Sequence, residues 1–159
     1  MKYYTTLCIL LLSMVSCGGK KTLFDETQNI AGTWNRFENK TFTVPVTNTD
    51  DYFDIYMKVA VDTTLFRQSS LPLNVNIYSP DGERRMFRAS VPLRDRQGLP
   101  AGTVEHGRMV VDRKVRDLFS FNSKGDYRIE VGQATHLYDI KGVKQITLHI
   151  EKAELALPE

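Results

Sequence analysis

The stretch Tyr52-Phe-Asp-Ile-Tyr-Met-Lys-Val-Ala-Val61 puts Phe53, Ile55, Met57, Val59 and Val61 at every second position. Side chains of an extended chain point alternately to two sides, so this spacing builds one apolar and one polar face. A helix would need apolar residues three and four apart, a pattern no stretch sustains. The same alternation recurs in Lys40–Val46 (Phe42, Val44, Val46), where Pro45 suits an edge or strand end. It recurs again in Leu73–Tyr78, in Asp126–Val131 (Tyr127, Ile129, Val131) and in Val143–Lys152 (Ile146, Leu148, Ile150). Ser79-Pro-Asp-Gly82 is turn chemistry that joins Leu73–Tyr78 to a return strand over Arg84–Val91. Arg108–Arg116 reads equally as strand or helix, Leu118–Phe121 is a short apolar run, and Pro92–Gly102 has the character of a surface loop.

One-faced alternation in nearly every segment means one side buried and one wet, which is antiparallel behaviour. The expectation is an all-β domain of about eight strands: a two-sheet antiparallel β-sandwich of jelly-roll or immunoglobulin-like type. With 159 residues, 42% apolar and 25% charged, the chain suffices for one core and is unlike a disordered polymer.

The N-terminus obeys different rules. Lys2 precedes the apolar run Leu7–Val15, which is too short to span a bilayer and fits the hydrophobic part of an export signal. Met14-Val15-Ser16-Cys17 resembles a bacterial lipobox, in which the cysteine thiol takes up a diacylglyceryl group. The expected organisation is a removed signal over 1–16, lipidated Cys17 with a flexible tether over 17–28, and a single sandwich over 29–159. Several acyl chains anchor a protein stably where one does not. The other cysteine, Cys8, lies within the signal, so no disulfide or thiolate metal site is expected in the mature chain.

Chemistry is harder to find. His106, His136 and His149 are scattered without metal spacing, and nucleophile-elbow, P-loop and dinucleotide glycine patterns are absent. Asp25-Glu26 and Asp50-Asp51 are adjacent carboxylates, but neighbours along a strand face opposite ways and acidic residues often serve turns. No enzyme, cofactor or metal is therefore expected. The net charge of +2 falls towards neutrality once Lys2 is removed, which argues against a nucleic-acid partner. Arginines gather at Arg84, Arg85, Arg88, Arg94, Arg96, Arg108, Arg113 and Arg116, either as a basic strip for an acidic partner or as solvated outer faces. Trp34, Tyr52, Tyr56 and Tyr138 are the candidate binding aromatics, with Tyr52, Asp54, Tyr56 and Lys58 sharing one strand face. Such groups suit envelope-protein partners or a carbohydrate such as peptidoglycan.

The order of several short pieces is similar to the gliding-motility lipoprotein family GldH of Bacteroidetes. They are the opening around Trp34, Phe42–Val46, Tyr52–Val59, the loop from Val91, Lys124–Thr135 and Asp139–Lys152. Gly125, Tyr127, Gln133, Ala134, Gly142, Glu151 and Lys152 match the family's punctuation, whereas Gln97-Gly98-Leu99 lacks the tryptophan often found beside the loop glycine. The resemblance implies an envelope lipoprotein associated with gliding and the linked secretion system, and it brings no catalytic residues. Basic Lys20 and Lys21 after the cysteine, in place of the acidic residues of surface-exported lipoproteins, imply a periplasm-facing anchor.

Overall fold

The computed structural model describes residues 22–154; the signal segment, Cys17 and the lysines after it lie outside the described residues. Eleven strands follow one another: β1 (Thr22–Asn29), β2 (Thr33–Asn35), β3 (Lys40–Val46), β4 (Tyr52–Asp62), β5 (Ser70–Tyr78), β6 (Arg84–Pro92), β7 (Thr103–Glu105), β8 (Arg108–Ser120), β9 (Gly125–Gln133), β10 (Asp139–Lys141) and β11 (Val143–Lys152). Eight of these are long; β2, β7 and β10 have three residues each. No helix occurs among the described residues.

Five strands form one sheet in the order β1-β11-β4-β8-β7, four form a second in the order β3-β9-β5-β6, and β10-β2 is a small separate ribbon. All the strand pairings are antiparallel. Among the long strands, first pairs with last (β1 with β11), second with second-last (β3 with β9), and so inward through β4–β8 to the β5–β6 hairpin. A long hairpin nested in this way and rolled into two sheets is a jelly roll. That decides between the two sandwich types the alternation allowed.

Apolar side chains from both inner faces meet between the sheets. Ile55, Met57, Val59, Ile146, Leu148 and Ile150 come from the first, and Phe42, Val44, Leu73, Val75, Ile77 and Ile129 from the second, all fully buried. Burial follows the sequence alternation most cleanly in β5 and β3. At the turn into β11, Gly142 has φ +90°, and a Cβ there would sit 2.6 Å from the Phe66 amide nitrogen. Only glycine fits both demands.

One expectation needs correction, and one open reading is resolved. Residues 22–28 are not tether: they form nearly all of β1, an edge strand in register with β11 from Thr22 opposite Glu151 to Asn29 opposite Gln145. The domain therefore begins at least seven residues before the expected boundary at 29. Arg108–Arg116, open between strand and helix in the sequence, is strand, and β8 runs on through Leu118 to Ser120, with bulges opposite the β4 steps Phe53/Ile55 and Ile55/Tyr56. Each bulge adds a residue and resets the alternation, which hides the period in the sequence.

Candidate interaction surfaces

The strand registers turn the polar side of β4 into cross-strand rows on the outside of the five-stranded sheet. Asp25, His149, Tyr56 and Lys114 stand side by side on β1, β11, β4 and β8. The next row reads Thr27, Thr147, Lys58 and Asp112. Neighbours in such rows interact directly. His149 Nδ1 lies 2.8 Å from Asp25 Oδ2, the His149 and Tyr56 rings meet edge-on at 5.8 Å, and Lys114 Nζ sits 5.5 Å from the Tyr56 ring centre. Thr27 and Thr147 share a hydroxyl hydrogen bond of 2.7 Å, and Lys58 reaches Asp112 at 3.7 Å.

Asp54 is the buried carboxylate of this face. It accepts a hydrogen bond from the Leu118 amide at 3.1 Å and a close one from Lys114. Burial by itself raises the Asp54 carboxyl, but these donors and the lysine charge outweigh it and hold the group below its ordinary 3.8. Lys114 is raised in turn, chiefly by its bond to Asp54, and burial with the neighbouring Glu151 raises the Tyr56 hydroxyl. Lys152 binds Asp51 at 2.5 Å. The strip formed by Tyr52, Asp54, Tyr56 and Lys58 is thus real as a face, and its side chains are largely engaged with one another.

The second surface lies where β1 and β4 end and β11 begins. Thr22 enters β1 beside the end of β11, so the aromatic ribbon β10-β2, next to Asn29 and Lys144, caps the opposite end of the sandwich. The eleven residues of β4, at about 3.3 Å each, separate the two ends by roughly 35 Å. In the ribbon Ile140 pairs with Trp34, and the Trp34 indole donates to the Glu38 carbonyl at 2.7 Å. Trp34 is fully buried, so it offers no stacking surface. This corrects its place among the binding aromatics: it supports a turn.

That turn, Asn35 to Glu38, closes through Glu38 N–H to Asn35 O at 3.0 Å, while the Asn35 side chain accepts from Phe37 N–H and donates to Asp139. Asparagine at the first turn position does this readily. Arg36 and Phe37 are thereby held at the apex. Gln133, buried at the end of β9, donates to the carbonyls of Leu137 and Tyr138 and accepts from the Thr135 amide and hydroxyl. It fixes the loop that presents Tyr138. Phe37 is 76% exposed and Tyr138 65%, with ring centres 6.0 Å apart, and the Arg36 guanidinium lies 5.8 and 5.4 Å from them. Exposed Leu137 is next to this cluster in the chain.

Of the four aromatic candidates, Tyr138 therefore stands in an exposed cluster, Tyr52 is exposed at the other end, Tyr56 sits half-buried in the polar rows, and Trp34 is in the core. Phe37 was not anticipated. It falls in a turn, where no periodicity marks it. The adjacent carboxylates do not work as pairs: Asp25 goes to His149 and Glu26 to Gln28, while Asp51 accepts from Asn48 and pairs with Lys152, and Asp50 joins the same turn only through its backbone amide, donated to Asn48 Oδ1. No group of three His, Cys, Asp or Glu side chains is placed to hold a metal among the described residues.

The fold defines an all-β jelly-roll domain, and the sequence pattern of the GldH lipoprotein family matches it over residues 22–150. The chain belongs to that family and is a membrane-anchored lipoprotein of the cell envelope. No curated protein matches it. Among solved structures it is similar to the infectious bursal disease virus VP2 subviral particle, with 10% identity and a TM-score of 0.36 over 80% of this chain and 32% of that one. The Gx strain of the same virus gives 12% identity and a TM-score of 0.30, over 81% and 30% of the two chains. The coat protein of Tobacco streak virus gives 13% and 0.26 over 86% and 89%. This chain spans about a third of the VP2 chain, and none of these likenesses bears on its function.

Proposed function

We propose that acyl chains on Cys17 hold the protein at the bilayer, facing the periplasm. Its jelly roll then acts without catalysis as a docking module for other proteins of the gliding and linked secretion machinery. One observation carries this reading: the exposed Arg36, Phe37 and Tyr138 cluster stands at the end of the sandwich away from Thr22, where the anchored segment joins. Exposed aromatics beside arginine are the residue types that dominate protein interfaces. A rigid turn and a glutamine-fixed loop present them at little entropic cost.

The test is a photo-crosslinking side chain placed at Phe37 in cells, compared with one at Thr43 on the outer side of β3. The expected result is a discrete crosslinked envelope protein from position 37 alone, abolished when Cys17→Ser releases the protein from membranes. Equal labelling from both positions would overturn the docking reading. A carbohydrate- or peptidoglycan-binding role is favoured by the same paired rings, since sugars stack on such platforms. Retention on purified cell wall that Tyr138→Ala removes would support it over the protein partner.

A further inference from the structure

The opposite flank of the sandwich carries most of the mid-chain arginines. Among the described residues β6 is the outer strand of its sheet and pairs only with β5, in an unbroken register from Ser70–Pro92 to Tyr78–Arg84. β8 lies against it across the sandwich and is covered by β7 only over Arg108–Val110. Two backbone edges thus lie open side by side. An open, regular edge is a template for another strand, and proteins normally blunt such edges. β8 is blunted by its two bulges, whereas the β6 ladder is regular throughout.

Between them runs a cleft of about 160 Å³ lined by Arg85, Met86, Phe87, Arg116, Leu118 and Phe119. Arg85 lies 5.4 Å from the Phe119 ring centre and donates to Ser120 O at 2.9 Å; Arg116 lies 5.8 Å from the Phe87 ring centre. Met86 is 68% exposed and Leu118 51%. Leu118 also has φ +46°, a left-handed conformation unfavourable for a residue with a Cβ, and the Asp54 carboxylate holds it there through its amide. A buried acid therefore spends a hydrogen bond keeping a leucine strained and in solvent beside the cleft. The conformation belongs to the β8 bulge opposite the Phe53/Ile55 step, which turns this leucine outward.

Charge completes the picture. Arg84, Arg85, Arg88, Arg113 and Arg116 lie on these two strands. Glu83 is taken by Arg85, Asp81 by the Ser79 hydroxyl within the β5–β6 turn and Asp112 by Lys58, leaving Asp117 as the remaining carboxylate of the two strands and that turn. Among the described residues no carboxylate stands within ion-pair distance of Arg88, Arg113 or Arg116. We propose that this flank is a strand-addition site for an extended acidic segment of a partner protein. The segment pairs its backbone with β6, an apolar side chain enters the Phe87–Phe119–Leu118 cleft, and flanking carboxylates meet Arg88, Arg113 and Arg116. In strand addition the main chain supplies affinity and the side-chain pockets supply specificity. The same arginines repel a second β6 edge, which excludes self-pairing while admitting an acidic strand. This site is separate from the aromatic end and stands or falls independently of it.

The test uses the full lipidated chain in detergent micelles and three synthetic peptides of nine residues each: alternating Glu-Val, alternating Lys-Val, and alternating Glu-Val with every backbone nitrogen methylated. Hydrogen exchange is read over β6, with β1 and β3 as the comparison edges. The Glu-Val peptide is expected to slow exchange in residues 84–92 about tenfold and to leave β1 and β3 unchanged. Reversing Arg88, Arg113 and Arg116 to glutamate should abolish this, and changing them to glutamine, the milder variant, should weaken it. Unchanged exchange with Glu-Val overturns the proposal, as does equal protection by Lys-Val. Equal binding of the methylated peptide, which has no amide hydrogens for pairing, would reduce the site to ionic attraction and overturn it as strand addition. Protection confined to β1 or β3 would place the open edge elsewhere.

Discussion

The outer face of the five-stranded sheet and the β10-β2 end of the sandwich both combine aromatic and charged residues, yet they differ in what those residues do. On the sheet face, Tyr56 lies among His149, Lys114 and Glu151, and Asp54 holds Lys114 and Leu118. The polar groups answer one another along strand-to-strand rows. At the far end Trp34 and Gln133 are buried and satisfied, and their work leaves Phe37 and Tyr138 outside. A polar-aromatic strip in a sequence is therefore a poor guide to a binding surface on its own. The better sign is a buried, fully hydrogen-bonded residue whose effect is to hold an apolar one in water.

The largest effect that would break the comparison is loss of the support beneath the aromatic end. Trp34→Ala removes a fully buried indole and is expected to lower unfolding free energy by about 3–5 kcal/mol, read by denaturant melts. If the loss stays below about 1 kcal/mol, Trp34 is not the keystone described.

A smaller effect belongs to the sheet face. Because the folded-state carboxyl of Asp54 lies below its ordinary 3.8, its contribution is complete above that value and is lost as pH falls through the lower, folded one. Wild type should therefore shed more stability than Asp54→Asn on acidification from about pH 5 to pH 2. Parallel acid titrations of the two would show the sheet face to be no stabilising network.

The smallest effect on stability is expected at the rings themselves. Phe37→Ala and Tyr138→Ala should each change unfolding free energy by no more than about 0.5 kcal/mol, as exposed side chains do, and Tyr138→Ala should also remove the crosslink formed from position 37. A stability loss as large as that of Trp34→Ala would make the rings part of the core and erase the distinction between the two regions.

Much of the fold was legible locally. Alternation in β3, β4, β5, β9 and β11 needs no knowledge of partners, because each strand carries its own inside and outside. β1 was hidden for the converse reason. Thr22–Asn29 is an edge strand exposed along most of its length, so its composition is that of a linker, and only its pairing with residues 145–151 makes it a strand. Bulges concealed the continuity of β8, and a turn concealed Phe37. Trp34 stood out in the sequence for its size, but whether a lone indole faces water or the interior depends on the ribbon that covers it.

Chain chemistry alone determined that this protein is built of one-faced antiparallel strands without thiol chemistry in its folded part, and that it is similar to a lipoprotein family. Those properties rest on period-two spacing and residue type, which are local. Tertiary structure decided that the sandwich is a jelly roll, that the tyrosine strip is knit into its sheet, and that Phe37 with Tyr138 and the β6–β8 flank are the parts left open. Contacts between segments distant in the chain settle each of these, from β6 against β8 to β1 against β11, and no stretch of residues carries the register of a partner that for β1 lies more than a hundred positions away.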